Sequence, residues 1–382
     1  MKTATTQILF LSAVVMTACG RAVATVETPY EIEWIRQVGT EWDDRACGVS
    51  ADGLGNVYIS GYTHGSLGGN SAGNYDAFVS KYDLGGNLLW IRQIGTSSRD
   101  GSAAVSADGL GNAYIAGYTE GSLGGPLAGW FDAFVGKYDS EGNLQWVRQF
   151  GPSDWEESWG ISADQMGNVY VTGYVHYPDV PYYDGFLTKY DPQGNLVWSG
   201  DIGTSDWDVS YGVSADGMGN AYISGAAIGL PGSPNPGNID PFVSKFDSEG
   251  HLLWTSGVGT SDEDWSYCVS ADGLGNVYIS GYTLGSLGGP NAGSGDAFVS
   301  KYDPDGSLLW TCQFGGVEFE TGFGISVDKL GSVYISGITY GSLGGPNTGT
   351  EDVFVAKLTP EPGTILLLGL GGFGLLRNRR FH

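Results

Sequence analysis

An all-β fold, a six-bladed β-propeller of four-stranded antiparallel blades, is what this 382-residue sequence predicts, and three observations carry it. The phrase Ser-Ala-Asp-Gly-Leu-Gly-Asn-Val-Tyr-Ile-Ser-Gly opens at Ser50 and returns in related form at Ser106, Ser162, Ser214, Ser270 and Ser326, at intervals of 56, 56, 52, 56 and 56 residues. A period of this length marks units that bury their apolar faces on one another. Each unit also holds four short strand signals separated by turns. Finally, six triplets of strands A, B and C are accompanied by six D strands that run one step out of phase. Glu31–Val38 is the D-like strand before the first triplet, and none follows the last triplet at Val353–Leu358. The offset predicts that the N-terminal strand completes the last blade and closes the ring, removing exposed sheet edges.

The elements follow in chain order. Residues 1–24 read as an export signal: Lys2 gives a positive start, Ile8–Met16 an apolar stretch, and Ala22-Val23-Ala24 a small-x-small cleavage site. Met16-Thr17-Ala18-Cys19 offers a competing lipoprotein reading with Cys19 as the lipidated residue. Residues 25–358 form the propeller. In its first unit strand A is expected at Cys47–Ala51, B at Val57–Tyr62, C at Ala77–Tyr82 and D at Leu88–Ile94. The A-to-B turn, Asp52-Gly53-Leu54-Gly55-Asn56, and the C-to-D turn, Asp83-Leu84-Gly85-Gly86-Asn87, are rich in residues that tolerate positive φ. Strands alternate in direction, so both tight hairpins share one rim, and the B-to-C and D-to-A connections share the other.

Residues 359–382 are a separate tail. Pro360-Glu361-Pro362 precedes an apolar run, Ile365–Leu376, and then Arg377, Arg379 and Arg380. Twelve apolar residues are short for a bilayer span, which takes about 20. The order of parts resembles the PEP-CTERM sorting signal, with Pro360, Glu361 and Pro362 as the motif. That resemblance implies processing by an exosortase-type enzyme and delivery to the cell surface or extracellular matrix, with the membrane engaged only through the tail before processing. The repeats, through Asp52–Gly61 and Asp76–Asp83 and their relatives, resemble the SBBP type of β-propeller repeat. This implies the architecture in an exported bacterial protein and no general enzymatic activity.

Composition limits the partners. The chain has 17 Lys and Arg against 42 Asp and Glu, and five of the basic residues lie in the terminal segments. So acidic a body repels nucleic acid and anionic lipid. Cys47, Cys268 and Cys312 have neither disulfide-framework nor metal-ligand spacing.

Four charged positions recur in each unit: an acid six residues before the phrase, the Asp within it, an Asp opening strand C, and a Lys five residues later. The Lys is expected to be an ordered partner of a carboxylate. Asp44 and Asp100 from the first set, with Asp76 and Asp132 from the third, are the metal-site candidates, and calcium is the ion that paired carboxylates with loop carbonyls would take. The competing reading is that these acids cap turns.

The B-to-C rim mixes aromatic and acidic residues, a combination that suits neutral sugars. The 52-residue interval reflects a third unit whose Gly-Ser-Leu-Gly-Gly loop is replaced by His176-Tyr177-Pro178-Asp179-Val180-Pro181-Tyr182-Tyr183. With Trp130 and Phe131 from the preceding unit, and Trp155, it defines the expected binding site: Trp130, Phe131, Trp155, His176, Tyr177, Tyr182 and Tyr183. No residues are assigned to catalysis, and no G-x-S-x-G, H-E-x-x-H or C-x-x-C motif occurs. The functional expectation is a non-catalytic surface or matrix binding scaffold for glycan or exopolymer. The alternative is a calcium-assisted hydrolase or lyase working at the channel mouth.

Overall fold

Runs of six to nine residues alternating apolar with small polar side chains, joined A to B and C to D by Asp- and Gly-containing turns, form 23 antiparallel strands among the described residues. The computed structural model describes residues 34–151, 154–229, 239–328, 331–347 and 349–359. The expected export signal and Pro360-Glu361-Pro362 lie outside these.

Blade 1 comprises β1 (Asp44–Ala51), β2 (Val57–Thr63), β3 (Asp76–Tyr82) and β4 (Leu88–Ile94). Blade 2 has β5 (Asp100–Ala107), β6 (Ala113–Thr119), β7 (Asp132–Tyr138) and β8 (Leu144–Phe150). Blade 3 has β9 (Trp155–Ala163), β10 (Val169–His176), β11 (Tyr183–Tyr190) and β12 (Leu196–Ile202). Blade 4 has β13 (Asp208–Ala215), β14 (Ala221–Ile228), β15 (Ile239–Phe246) and β16 (Leu252–Gly257). Blade 5 has β17 (Asp264–Ala271), β18 (Val277–Thr283), β19 (Asp296–Tyr302) and β20 (Leu308–Phe314). Blade 6 has three strands, β21 (Glu320–Val327), β22 (Val333–Thr339) and β23 (Asp352–Leu358).

Strand order within each sheet follows the chain, as expected for consecutive hairpins. The A strands pack in succession, β1 on β5, β5 on β9, β9 on β13, β13 on β17 and β17 on β21, which places them innermost. Strand A starts at the acid in five blades and one residue before it in blade 3, earlier than its alternation suggests, because a β-bulge interrupts it. The bulge falls at the fourth residue of the strand in blade 1, between Ala46 and Gly48, and recurs in all six blades. The extra residue breaks the period of two.

The core lies between blades. Tyr58, Val79, Ile115 and Phe134 bury fully or nearly so against the neighbouring sheet, and equivalent sets recur through blade 5. Each such side chain contributes about 1.5–3 kcal/mol by leaving water. The Tyr58 hydroxyl donates to the Gly111 carbonyl of the next blade at 2.7 Å, and Tyr170 repeats this with Gly219 at 2.8 Å. Trp90 wedges into the same junction and donates its indole N–H to Ser140 O at 3.0 Å.

The faces of blades 1 and 6 equivalent to these junctions are exposed instead. Val49 is 72% exposed whereas its equivalents Val105 and Val269 are 7% and 8% exposed. Val353 and Val355 are 79% and 76% exposed, although Ala133 and Val135 at those positions are fully buried. Trp34–Val38 form no strand, and Glu31–Glu33 lie outside the described residues. The sixth blade therefore has three strands here.

Candidate functional site

The B-to-C rim of blades 2 and 3 gathers most of the expected binding residues through backbone register. Phe131, at the entry to β7, forms a parallel bridge with Trp155, the first residue of β9. Glu156 N–H donates to Phe131 O at 2.9 Å and Trp130 N–H to Asp154 O at 2.7 Å, so the two blades are stitched at this point. Trp155 then pairs with His176 across β9 and β10, and His176 with Tyr183 across β10 and β11. The result is one cross-strand row, Phe131, Trp155, His176, Tyr183. Phe131 and Trp155 rings lie 4.5 Å apart, and His176 and Tyr183 rings 5.0 Å apart.

Trp130 stands at the end of this row, 75% exposed. It lines an open cleft of about 560 Å³ with Phe131, Glu120 and Asp154. The Asp154 carboxylate also faces His176 Nδ1 at 3.3 Å. Two expected members lie elsewhere. Tyr177 turns away and donates to Asp201 Oδ2 at 3.0 Å, in a smaller cavity of about 210 Å³. Tyr182 is half-buried in the loop between β10 and β11. Blade 1 repeats the motif with Trp42 and His64, 5.5 Å apart, over a cleft of about 580 Å³.

Glu157 links the row to Trp159, further along strand A. Its position on strand A holds Arg45, Gly101, Val209, Trp265 and Thr321 in the other blades. Glu157 accepts from Tyr174 OH at 2.8 Å and Trp155 Nε1 at 3.0 Å, with the Trp159 indole as a further donor. Burial raises its pKa above the ordinary carboxylate value, and these three donors oppose the rise.

Trp159 occupies the bulge position, and the same position supplies Tyr211, Tyr267 and Phe323 in blades 4 to 6 but Cys47 and Ala103 in blades 1 and 2. Successive rings of this wall lie 6.3, 5.2 and 5.1 Å apart. Sequence reading did not single out these residues. The signal was present as one position that is aromatic in four units and small in two.

The recurring acids are held by donors. Asp44 and Asp100 each accept from a Thr on strand B of their own blade, Thr63 and Thr119, and from the N–H of Thr40 and Thr96. Asp76 and Asp132 accept from Gln93 and Gln149 of strand D at 2.7 and 2.8 Å. The same glutamines pin the Gly-Ser-Leu-Gly-Gly loops, as Leu67 N–H donates to Gln93 Oε1 at 2.8 Å. The acid opening strand C and the first acid of the next blade meet over one glycine. A Cβ on Gly203 would lie 2.8 Å from Asp208 Oδ2 and 2.9 Å from Asp184 Oδ1. Among the described residues no group of three or more His, Cys, Asp or Glu side chains is placed to hold a metal ion.

The strand-C lysines correct an expectation. In blades 1 to 4 the Nζ atoms donate to backbone carbonyls of the next blade, Lys81 to Ser140 at 3.2 Å and Lys137 to Pro192 at 3.1 Å, with Lys189 and Lys245 bonding Ser248 and Pro304 in the same way, rather than to carboxylates. Each also lies over a tyrosine ring, 5.2 Å from the centroid for Lys81 on Tyr58. A cation over an aromatic face needs no carboxylate partner.

A repeat-family match agrees with this architecture. Residues 33–69 and 89–124 match the SBBP beta-propeller repeat, and residues 358–380 match the PEP-CTERM protein-sorting motif. An uncharacterized WD repeat-containing protein, L264, of Acanthamoeba polyphaga mimivirus is 20% identical over 78% of this chain and 27% of its own length. The regulatory protein FlaEY of Caulobacter vibrioides is 27% identical over 56% of this chain and 24% of its own. The chain thus spans about a quarter of the length of these relatives. Among solved structures, the Neurospora crassa Pan2 WD40 domain superposes with a TM-score of 0.43 at 11% identity, covering 83% of this chain and 80% of that domain. The β-propeller domain of the Trilobed protease from Pyrococcus furiosus gives 0.37 at 10% identity, over 82% and 94%. The sorting motif implies processing by an exosortase and a destination at the cell surface. The chain carries SBBP-type β-propeller repeats on an all-β six-bladed propeller and ends in a PEP-CTERM sorting motif.

Proposed function

We propose that this propeller is a non-catalytic scaffold, exported by residues 1–24 and sorted to the cell surface, that binds neutral glycan or exopolymer on the rim of blades 2 and 3. The observation that carries the reading is the row Phe131, Trp155, His176, Tyr183 beside the exposed Trp130 and the Asp154 and Glu120 carboxylates. Flat aromatic faces take the C–H faces of sugars, and adjacent carboxylates accept from their hydroxyls. Glu157 positions the Trp155 indole, so part of the surface is pre-organised and less ordering entropy is lost on binding.

The same reading assigns Glu31–Val38 as the fourth strand of blade 6. Its likeness to β4 supports this, as do the exposed Val353, Val355 and Val49. The experiment is a glycan array with the exported chain, followed by calorimetry on hits with Trp130→Ala and Trp155→Ala variants. Binding weakened about ten-fold or more by either variant is expected, since an aromatic platform contributes about 0.5–1.5 kcal/mol beyond its area. Absence of any glycan hit, or hits indifferent to both variants, overturns the site.

A further inference from the structure

The two rims of the propeller differ in chemistry. Trp42 and Trp130 stand out on the B-to-C rim among acids, whereas the hairpin rim presents aliphatic tips. Leu54, Leu110, Met166, Met218 and Leu274 are 66, 70, 65, 71 and 81% exposed, one at the apex of each described A-to-B hairpin in blades 1 to 5. Their orientation is fixed by the turn. The preceding Asp accepts from the N–H of the tip residue, Asp52 from Leu54 at 2.8 Å and Asp272 from Leu274 at 2.9 Å, so every tip is set alike. Strand D begins on this same rim with further exposed aliphatics, such as Leu89 at 51% and Leu253 at 52%. Single exposed leucines need no explanation, but five at the same turn position of five successive blades are a repeated apolar display on one face.

Topology says what. Leu358, the last residue of β23, pairs with Val333, the first residue of β22 beyond the sixth A-to-B hairpin. The chain therefore leaves the propeller on the aliphatic rim, and the apolar run of the sorting tail starts at Ile365, seven residues later. Seven residues reach at most about 25 Å. While the tail is attached to a membrane, this rim faces it at short range.

We propose that the hairpin rim is a membrane-resting surface, with the ring of Leu and Met tips entering the interface of a neutral bilayer until the tail is cleaved. Neutral lipid is specified by charge: the C-to-D turns on this rim carry acids such as Asp139, whose Oδ1 is occupied by Asn143 N–H at 2.8 Å and whose carboxylate stays ionised. Anionic lipid is repelled by them. The contact is shallow and additive over five tips, as for an interfacial amphipathic surface. It holds the glycan-facing rim outward. The proposal takes the tail as membrane-directed but does not depend on the glycan site.

The test uses the exported chain with its tail retained and a C-terminal histidine tag, tethered to phosphatidylcholine vesicles containing nickel-chelating lipid. Retention after chelator identifies the chains whose tail has inserted, and adducts are counted on that retained fraction. A benzophenone amino acid replaces Met166 or Leu274, or Trp130 on the other rim, and lipid adducts are counted by mass spectrometry after illumination. Lipid adducts about ten-fold more abundant at 166 and 274 than at 130 are expected, falling by a similar factor in a Leu54→Ser, Leu110→Ser, Met218→Ser background. Replacing half the phosphatidylcholine with phosphatidylglycerol should reduce them too. Equal adducts on both rims, or adducts at 166 and 274 that join two protein chains, overturn the proposal.

Discussion

Gly142 allows the blade junction to be tested with its own controls. It occupies the C-to-D turn of blade 2 at φ +79°, and a Cβ there would lie 2.7 Å from the Trp90 ring of blade 1. Gly142→Ala therefore incurs two costs. The left-handed backbone costs a non-glycine residue about 1–2 kcal/mol. Displacing the buried Trp90 breaks its 3.0 Å bond to Ser140 O and opens packing at the junction, together about 2 kcal/mol. The sum is about 3–4 kcal/mol. Two glycines separate the contributions. Gly53, at φ +71° with no atom within 4 Å of where a Cβ would stand, isolates the backbone cost of about 1–2 kcal/mol. Gly109, with no positive φ and equally open space, should gain about 0.4–1 kcal/mol as Ala through the unfolded chain. Urea unfolding followed by tryptophan fluorescence reads all three. A Gly142→Ala loss no larger than that of Gly53→Ala would refute the claim that the indole and the glycine interlock.

Further predictions concern ring closure and pH. Tyr58→Phe removes the hydroxyl that reaches Gly111, and should cost about 1–2 kcal/mol in unfolding. Tyr334 bonds Asp328 at 3.2 Å as Tyr58 bonds Asp52. In the proposed closed ring its hydroxyl also meets the Gly55 carbonyl, so Tyr334→Phe should cost the same; a much smaller loss refutes closure. Asp208 is pushed up to about 6 by burial, opposed by Thr204, with Asp184 and Asp206 adding negative field. A carboxyl whose pKa rises on folding favours the folded state when protonated, and that contribution is lost as pH rises through about 6. Asp208→Asn should thus stabilise the protein at pH 7.5 and make the change between pH 7.5 and pH 5 smaller; denaturation curves that shift equally at both pH values would contradict this.

Much of the fold was legible because its signals are local. Asp-x-x-Gly-Asn turns and alternating strands recur at a near-fixed period, so blades, hairpins and rims could be counted from residues within ten positions of one another. The bulge was not legible, since one extra residue at 47 or 159 looks like a lapse in alternation. Nor was the lysine's carbonyl partner, because Ser140 lies 59 residues beyond Lys81. At the candidate site, His176 and Tyr183 were singled out by a break in the repeat, Trp130 and Phe131 as the preceding unit's contribution and Trp155 by the aromatic-acidic mix of the rim, and all five lie together on one rim. Tyr177 was placed with them because it is adjacent in sequence, but the chain turns there and directs its hydroxyl to Asp201.

The sequence by itself determined the repeat unit, the blade count, the division of loops between two rims and the C-terminal sorting segment. Each is written in period, turn chemistry and order of parts. Only the tertiary structure decided that the acids of adjacent blades face each other across a glycine, and that four bulge residues form one aromatic row across neighbouring blades. The physical reason is that these relations join residues one blade apart. Packing of one sheet on the next fixes them, and local periodicity carries no record of which side chains will meet there.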